Sequence, residues 1–351
     1  MRKRIIILTC FALASMALFA QPDAQYTLFP WASLYYNPGT AGEQNNTLCF
    51  TGIFANKYTG FQENHEYPDQ SPTDKPAESM SRQIQDFLVN TEYYSRKIRG
   101  AIGLSFQSDH QSPWKNIAIR LGYTYRMKIA GGGLGIGFQV NLANQALEEE
   151  QKWHPTQPDD PFVPHEGKDA PSSMRLDFSL GLHYRAESWD VGVSAVNLLG
   201  KSAVLLSGDE KTTMDLARQL YIHGGYVWTL PWDPSWTVEP KVLVKTDFAT
   251  FQLDAAILAR YNGILWGGLS YRINDAVSVL FGARPFYNSA NNYLKGLDVG
   301  VGYSFTTTKF AYTNKGSMGD IEVMVRYCFD IYKTETFSGY GSTRAIYKNR
   351  Y

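Results

Sequence analysis

Apolar and polar residues alternate along fourteen stretches of this chain, and the segment SMRLDFSLGLHYR at 173–185 shows the pattern clearly. Successive side chains of a β-strand point to opposite faces, so each stretch predicts a strand with one apolar and one polar face. In this segment the apolar face carries Met174, Leu176, Phe178, Leu180, Leu182 and Tyr184. The polar face carries Arg175, Asp177, Ser179, Gly181, His183 and Arg185.

The pattern predicts an all-β chain of about fourteen antiparallel strands. The predicted strands cover residues 47–57, 80–91, 99–108, 116–129, 133–143, 173–186, 188–198, 218–229, 235–247, 250–262, 264–273, 276–286, 295–305 and 319–329. The second stretch alternates poorly and the third is short, so twelve strands is the alternative count.

The connections between these strands differ in length according to their order. The three longest, 58–79, 144–172 and 199–217, follow odd-numbered strands, whereas Gly131–Gly132 and Asn262–Gly263 make tight turns after even-numbered ones. Outer-membrane barrels combine an even strand number with short periplasmic turns and longer extracellular loops. The lengths therefore favour a transmembrane outer-membrane β-barrel over a soluble sandwich, which would also alternate.

The first twenty residues predict an export signal, which places the strands in the cell envelope. Arg2, Lys3 and Arg4 precede an apolar stretch, and Ala20 is the predicted last residue before cleavage. No later stretch is long and apolar enough for a transmembrane helix. The predicted organisation is a signal peptide at 1–20, a periplasmic segment at 21–46, the barrel at 47–329 and a periplasmic tail at 330–351.

The composition fits a barrel in the outer membrane of a Gram-negative bacterium. Lys plus Arg and Asp plus Glu number 33 each, so the net charge of zero gives no electrostatic case for nucleic acid. The 23 tyrosines and 19 phenylalanines suit the aromatic girdles that contact outer-membrane lipid. The polar face carries both signs of charge, which fits either a solvated pore or an interior closed by ion pairs. These positions are Arg120, Arg126, Lys128, Arg175, Asp177, Arg185, Glu239, Lys241, Lys245, Asp254, Arg260, Arg272, Arg284, Glu322 and Arg326.

No motif of catalysis, metal binding or cofactor binding stands out in the sequence. The histidines at 65, 110, 154, 165, 183 and 223 lack the spacing of a metal site. The glycine-rich run GGGLGIG at 131–137 alternates as a strand does, so its glycines are expected to face the lumen. We therefore predict no catalytic residues, no metal and no cofactor.

Cys49 and Cys328 lie in the first and last predicted strands, which are neighbours in a closed barrel. Both fall on the lumen side near the periplasmic end. Directly opposite residues of antiparallel strands are close enough for a disulfide, and the envelope permits one. The alternative is that the two cysteines are offset by a register step and remain unpaired.

Two segments outside the predicted barrel are rich in aromatic residues. Residues 21–46 contain AQYTLFPWASLYYNPGTAG, which is too aromatic to be left in water and too rich in Pro and Gly to be a strand. We expect this segment to pack into the periplasmic mouth or onto a partner. Its candidate binding residues are Tyr35, Tyr36, Asn37 and Pro38.

The tail at 330–351 carries a net charge of +2, from four basic and two acidic residues. Its aromatic and basic residues Tyr340, Arg344, Tyr347 and Arg350 are candidates for binding a periplasmic partner. The alternative is a frayed terminus without a function.

The segment QYTLFPWASLYYNPGTAG resembles the entry motif of the PorP/SprF family of type IX secretion outer-membrane proteins. The matching positions are Tyr35, Tyr36, Asn37, Pro38, Ala41 and Gly42, whereas Gly39–Thr40 departs from the family pattern. Further similar stretches lie at 175–199, 218–245 and 252–272, followed by AVSVLFGAR.

The resemblance implies a non-enzymatic outer-membrane component of the type IX protein secretion system of Bacteroidota-type bacteria. Such a component assists secretion or surface display of client proteins with a C-terminal sorting domain, and it works beside the secretion channel and a periplasmic ring. The alternative function is a passive outer-membrane porin or a transporter of hydrophobic solutes.

Overall fold

The computed structural model describes residues 24–43, 47–57, 59, 84–111, 114–147, 172–200, 203–207, 210–214, 217–288, 295–307 and 319–330. The predicted signal peptide, most of the long predicted connection at 144–172 and the tail from residue 331 lie outside the described residues. The candidate binding residues Tyr340, Arg344, Tyr347 and Arg350 are among them.

The described chain forms a closed antiparallel barrel. Its strands are β1 Thr47–Lys57, β2 Ile84–Ser95, β3 Gly100–Gln111, β4 Trp114–Ile129, β5 Gly132–Leu147, β6 Ser172–Arg185, β7 Trp189–Val196, β8 Ala203–Ser207, β9 Glu210–Met214, β10 Gln219–Tyr226, β11 Trp228–Thr229, β12 Trp236–Thr246, β13 Phe251–Tyr261, β14 Leu265–Arg272, β15 Ala276–Ala283, β16 Leu297–Thr306 and β17 Asp320–Asp330. The ring closes where β1 pairs with β17.

The ring contains fourteen strands, as the alternation predicts. Strands β10 and β11 are two parts of one barrel strand, because both pair with β12 and only Val227 separates them. Strands β8 and β9 form a separate two-stranded sheet within the predicted loop 199–217. The weakly alternating second strand lies at Ile84–Ser95, four residues later than predicted.

The outer surface of the barrel is apolar and its inner surface is polar. In β6, Leu180 is 50% exposed on the outside, whereas the neighbouring Ser179 is fully buried on the inside. Met174, Leu176 and Leu182 share the outer face with Leu180. An outward apolar band of this kind is the lipid-facing surface of outer-membrane barrels.

The described part of the chain was also searched for helices that could span a membrane. No helix there has the length and apolar character needed to cross a bilayer.

Both ends of the barrel chain lie at one rim, because the number of strands is even. In outer-membrane barrels this rim faces the periplasm. We therefore call the rim at which β1 begins and β17 ends the periplasmic end, and the other rim the extracellular end.

Residues 24–43, here called the lumenal segment, fill the interior of the barrel. They form a 3₁₀ turn at Phe29–Trp31, one helical turn at Ser33–Tyr36 and a second 3₁₀ turn at Pro38–Thr40. A proline lies in the first two positions of each 3₁₀ turn, where its fixed φ and missing N–H are tolerated. The short turns make the segment compact enough to fit inside the ring.

The lumenal segment reaches from one half of the barrel to the other. Its Thr27 contacts Glu322 near the extracellular end of β17, whereas its Glu43 contacts Arg185 at the periplasmic end of β6. The expectation that this stretch packs into the periplasmic mouth therefore gives only part of its position.

Candidate functional site: the lumenal segment and its cavity

Three glycines of β5 and β6 make room for the lumenal segment. A Cβ atom at Gly135 would overlap the carbonyl oxygen of Gly39, and one at Gly137 would overlap the main chain of Pro38. A Cβ atom at Gly181 would overlap Oδ1 of Asn37. We call Gly135, Gly137 and Gly181 the glycine recess. These glycines face the lumen as the sequence predicts. The alternation does not indicate that the lumenal segment packs closely against them.

Asn37 connects the second 3₁₀ turn to the barrel wall. Its Oδ1 accepts a hydrogen bond from the N–H of Gly39 at 2.7 Å, and its Nδ2 donates to the carbonyl of Leu182 at 2.9 Å. Nδ2 also lies 3.0 Å from Nε2 of His223. Because Asn37 is fully buried, each of these partners replaces a hydrogen bond to water.

Two side chains of β4 bind the carbonyl groups that follow Asn37. The hydroxyl of Thr124 donates to the carbonyl of Pro38 at 2.5 Å. Arg126 donates from Nε to the carbonyl of Ala41 and from Nη2 to that of Thr40, both at 2.7 Å. Arginine suits this position because its guanidinium presents several donors in a fixed plane.

The opposite wall holds the beginning of the lumenal segment. Glu322 of β17 accepts hydrogen bonds from the main-chain N–H groups of Thr27 at 2.6 Å and Leu28 at 2.8 Å. The hydroxyl of Thr27 lies 2.9 Å from that of Ser304 in β16. Glu322 is 1% exposed, so its carboxylate is the buried acceptor for two amides that have left water.

The predicted binding residues Tyr35 and Tyr36 contact the barrel wall. Their rings meet edge to face at 4.9 Å, and the ring of Tyr26 meets that of Tyr35 at 5.5 Å. The guanidinium of Arg120 lies 4.6 Å from the ring centre of Tyr35, and Nζ of Lys245 lies 5.1 Å from that of Tyr36. Both tyrosines are nearly inaccessible, and a role in binding a partner stays a prediction.

Glu43 ties the end of the lumenal segment to the periplasmic end of β6. It forms an ion pair with Arg185, and its Oε1 lies 3.2 Å from Nδ1 of His183. Burial opposes ionisation of Glu43, but Arg185, His183 and Arg126 outweigh it and lower the pKa of this carboxyl group to about 2. Glu43 is therefore an anion at neutral pH.

Two histidines and an aspartate from three strands meet beside this ion pair. The potential ligand atoms of His183, Asp190 and His223 lie within 4.8 Å of one another. Sequence spacing predicts no metal site, and it gives no sign of this cluster because each residue belongs to a different strand. Asp190 is already paired with Lys241 at 2.9 Å and with Arg185 at 3.6 Å, so local positive charge opposes a bound cation.

A cavity of about 200 Å³ separates the lumenal segment from part of the wall. Its lining on the wall side comes mainly from the periplasmic ends of β12–β17, and Phe29, Trp31 and Tyr36 line it from the lumenal segment. Trp31 stacks on Trp266 of β14 with ring centres 4.4 Å apart. The wall side of the cavity is therefore mainly charged, whereas the segment side combines aromatic rings with the carboxylate of Glu43.

The charges of the cavity wall lie in pairs. Arg260 contacts Glu239 at 3.0 Å, and Arg326 contacts Glu92 at 3.3 Å. Arg284 is 3.5 Å from Asp298. Of the two interpretations left open by the sequence, these contacts favour an interior closed by ion pairs.

Cys49 and Cys328 are direct cross-strand partners at the junction of β1 and β17. Their Cα atoms are 4.1 Å apart, and their sulfur atoms form a disulfide. The alternative that the two cysteines are offset by a register step is therefore wrong. The disulfide joins the first strand of the barrel to the last.

Comparison with solved structures finds other barrels. A TodX deltaS2S3 mutant, a monoaromatic hydrocarbon channel, is 13% identical with a TM-score of 0.49, and the match covers 85% of this chain and 94% of that chain. A Pseudomonas aeruginosa FadL homologue is 11% identical with a TM-score of 0.48, covering 86% and 94%. The Pseudomonas putida toluene transporter TodX is 12% identical with a TM-score of 0.46, covering 85% and 93%. This likeness concerns the fold alone.

Comparison by sequence gives a more specific result. No curated protein matches the chain. A family model for the type IX secretion system membrane protein PorP/SprF matches residues 18–327, which include the lumenal segment and all but the last three residues of the barrel. The resemblance carried by Tyr35, Tyr36, Asn37 and Pro38 is thereby confirmed, and the chain belongs to the PorP/SprF family of type IX secretion system membrane proteins.

Proposed function

We propose that this protein is a non-enzymatic outer-membrane component of type IX secretion that acts by binding. It assists the secretion or surface display of client proteins with a C-terminal sorting domain, and it docks to secretion components in the outer membrane and periplasm. The observation that carries this proposal is that the chain's own residues 24–43 fill the barrel.

The filled lumen argues against the porin alternative. A diffusion pore needs a continuous aqueous path through the barrel. Here Tyr26, Leu28 and Asn37 are fully buried inside the ring, and hydrogen bonds hold the segment on two opposite walls. A barrel closed in this way is better suited to present its rims to partners than to conduct solutes.

Planar-bilayer recordings distinguish these two functions. We expect the purified protein to give no large, stable conductance steps. Removal of residues 24–43 should produce such steps, because the paired side chains of the wall would then line a wider lumen. Large steps from the complete protein would favour the porin.

The periplasmic tail is the segment to which we assign docking. It follows β17, which ends at Asp330 on the periplasmic rim. Tyr340, Arg344, Tyr347 and Arg350 are of the types that dominate binding energy at compact interfaces, and the net charge of +2 favours an acidic partner surface. Tyr35, Tyr36, Asn37 and Pro38 are less suited to this role while the lumenal segment occupies the barrel.

Truncation after Lys333 tests the docking role. The hydrogen-bonded ring closes at β17, so the shortened protein should fold and keep its heat-modifiable migration in electrophoresis. Secretion of clients and co-purification of periplasmic ring components should fall sharply.

The matched control replaces residues 334–351 by a scrambled sequence of the same composition. If docking depends on the order of aromatic and basic residues, this control should behave like the truncation. Normal secretion and unchanged partners after truncation would assign docking to another part of the chain.

A further inference from the structure

The cavity between the lumenal segment and β12–β17 has the size of the end of a peptide chain. Its volume of about 200 Å³ is below the roughly 300–1,000 Å³ of common ligand pockets. The lumenal segment bounds it on the inner side through Phe29 and Trp31. The remaining lining comes mainly from residues at the periplasmic rim, so a ligand would enter from the periplasm.

Arg284 lines this cavity and keeps a buried hydrogen-bond donor that is not used by the described residues. Its Nε is buried and has no hydrogen-bond acceptor among the described residues. The neighbouring Asp298 lies 3.5 Å away, and its other oxygen already accepts a hydrogen bond from Nε1 of Trp266 at 2.8 Å. The Cζ atom of Arg284 lies 5.4 Å from the ring centre of Tyr287. The guanidinium is therefore held in place with donors to spare.

Arg260 and Arg326 line the same cavity as Arg284. Each already has one carboxylate partner, Glu239 for Arg260 and Glu92 for Arg326. Nη1 of Arg260 is also buried without an acceptor in the described part of the chain. Guanidinium groups present paired N–H donors that match the two oxygens of a carboxylate. A carboxylate bound here would accept the hydrogen bonds that Nε of Arg284 and Nη1 of Arg260 leave unused among the described residues.

We propose that this cavity binds the C-terminal carboxylate of a polypeptide. Arg284 and Arg260 bind the carboxylate, and the aromatic side formed by Phe29 and Trp31 packs against the terminal side chain. A chain end fits better than an internal acidic residue, because the cavity of about 200 Å³ is small and the lumenal segment bounds it on the inner side. This binding site extends the proposed function without depending on it.

Two sources offer this chemistry at the periplasmic rim. One is the terminus of the segment that follows Asp330 at that rim. The other is the terminus of a different polypeptide. In both cases the shared ligand is a terminal carboxylate next to an apolar or aromatic side chain.

Calorimetric titration of the purified full-length barrel tests the proposal. The probes are N-acetyl-Ala-Phe with a free terminal carboxylate and the same peptide with an amidated terminus, each taken to millimolar concentration. We expect the acid to bind roughly tenfold more tightly than the amide, as befits hydrogen bonds to a charged group. Arg284→Gln should weaken binding of the acid by about tenfold and remove the preference for it.

The control variant is Arg96→Gln, which removes the same charge from an exposed position near the periplasmic end of β2. It should bind both peptides as the unmodified barrel does, and heat-modifiable migration should show that both variants are folded.

A chain ending at Lys333 separates the two sources. Tighter binding by this shorter chain identifies the tail as a competitor, whereas equal binding points to another polypeptide. Equal affinity for acid and amide, or no binding by either chain length, would overturn the proposal.

Discussion

The two walls of the barrel hold the lumenal segment in different ways. On β4–β6, glycines remove side-chain volume, so the main chain of Pro38 and Gly39 lies directly against the wall. On β12–β17, large charged side chains line the wall, and Glu322 binds the main-chain amides of Thr27 and Leu28. The first wall packs directly against the main chain of the segment, whereas the second contributes most of the lining of a cavity.

This difference shows that two kinds of contact hold the segment in the lumen. One wall packs tightly against its main chain, and the other binds it through hydrogen bonds. The glycine recess fixes the path of the segment through shape, since a Cβ atom at Gly135, Gly137 or Gly181 would overlap the segment. A charged wall fixes it through a few strong hydrogen bonds and tolerates a gap between them. The gap carries the proposed binding site, and the glycine recess holds the opposite side of the segment in place.

The largest effect is expected from the charged wall. Glu322→Ala leaves two buried main-chain N–H groups without acceptors, at a cost of about 1–3 kcal/mol for each. The lumenal segment should then leave the wall more often. The measurement is the rate of maleimide labelling of Ala32→Cys, a fully buried position, in a background with Cys49→Ser and Cys328→Ser.

Glu322→Gln is the matched variant, because its amide keeps one acceptor oxygen. It should raise the labelling rate less than Glu322→Ala does. Equal labelling in both variants and in the unmodified barrel would mean that Glu322 does not anchor the segment.

A somewhat smaller effect is expected from the glycine wall. Gly137→Ala places a methyl group against the main chain of Pro38, and overpacking of this kind costs typically about 1–3 kcal/mol. Labelling of Ala32→Cys should again increase. Gly133→Ala in the same strand is the control, since a Cβ atom there meets nothing within 4 Å. If both alanines behave alike, the glycine recess is not needed for packing.

The smallest effect is expected at the disulfide that joins β1 to β17 at the edge of the second wall. Cys49→Ser removes the bond between β1 and β17, but ten cross-strand residue pairs still join these strands. The barrel should fold and keep its lumenal segment. Non-reducing electrophoresis of denatured samples should show a mobility difference between the unmodified and Cys49→Ser proteins, and reductant should abolish it. Identical mobility without reductant would contradict the bond.

Much of the barrel follows from the sequence, because a strand has a period of two residues and one face must be apolar. Strand β1 was predicted with the bounds Thr47–Lys57 that the structure has. Strand β2 was displaced by four residues, because its lumen-facing and outward residues differ little in polarity. The alternation does not predict the hairpin of β8 and β9, because it lies outside the ring and each of its strands has only five residues.

The candidate site was harder to predict from the sequence. The aromatic character of residues 21–46 indicated that this stretch must be covered, but not by what. The glycines of GGGLGIG indicated lumen-facing positions, but a small residue has the same pattern whether it faces water or another backbone. His183, Asp190 and His223 carry no spacing signal, because strand pairing alone brings them together.

The sequence by itself determined the strand number, the lipid-facing surface and the family, since these depend on alternation and on local motifs. The tertiary structure decided that the lumen is filled, which charges pair, and that Cys49 faces Cys328 in register. These features arise between residues far apart in the chain, such as Thr27 and Glu322. Their contacts depend on the closure and register of the ring, because only the closed barrel brings the two walls around a single segment.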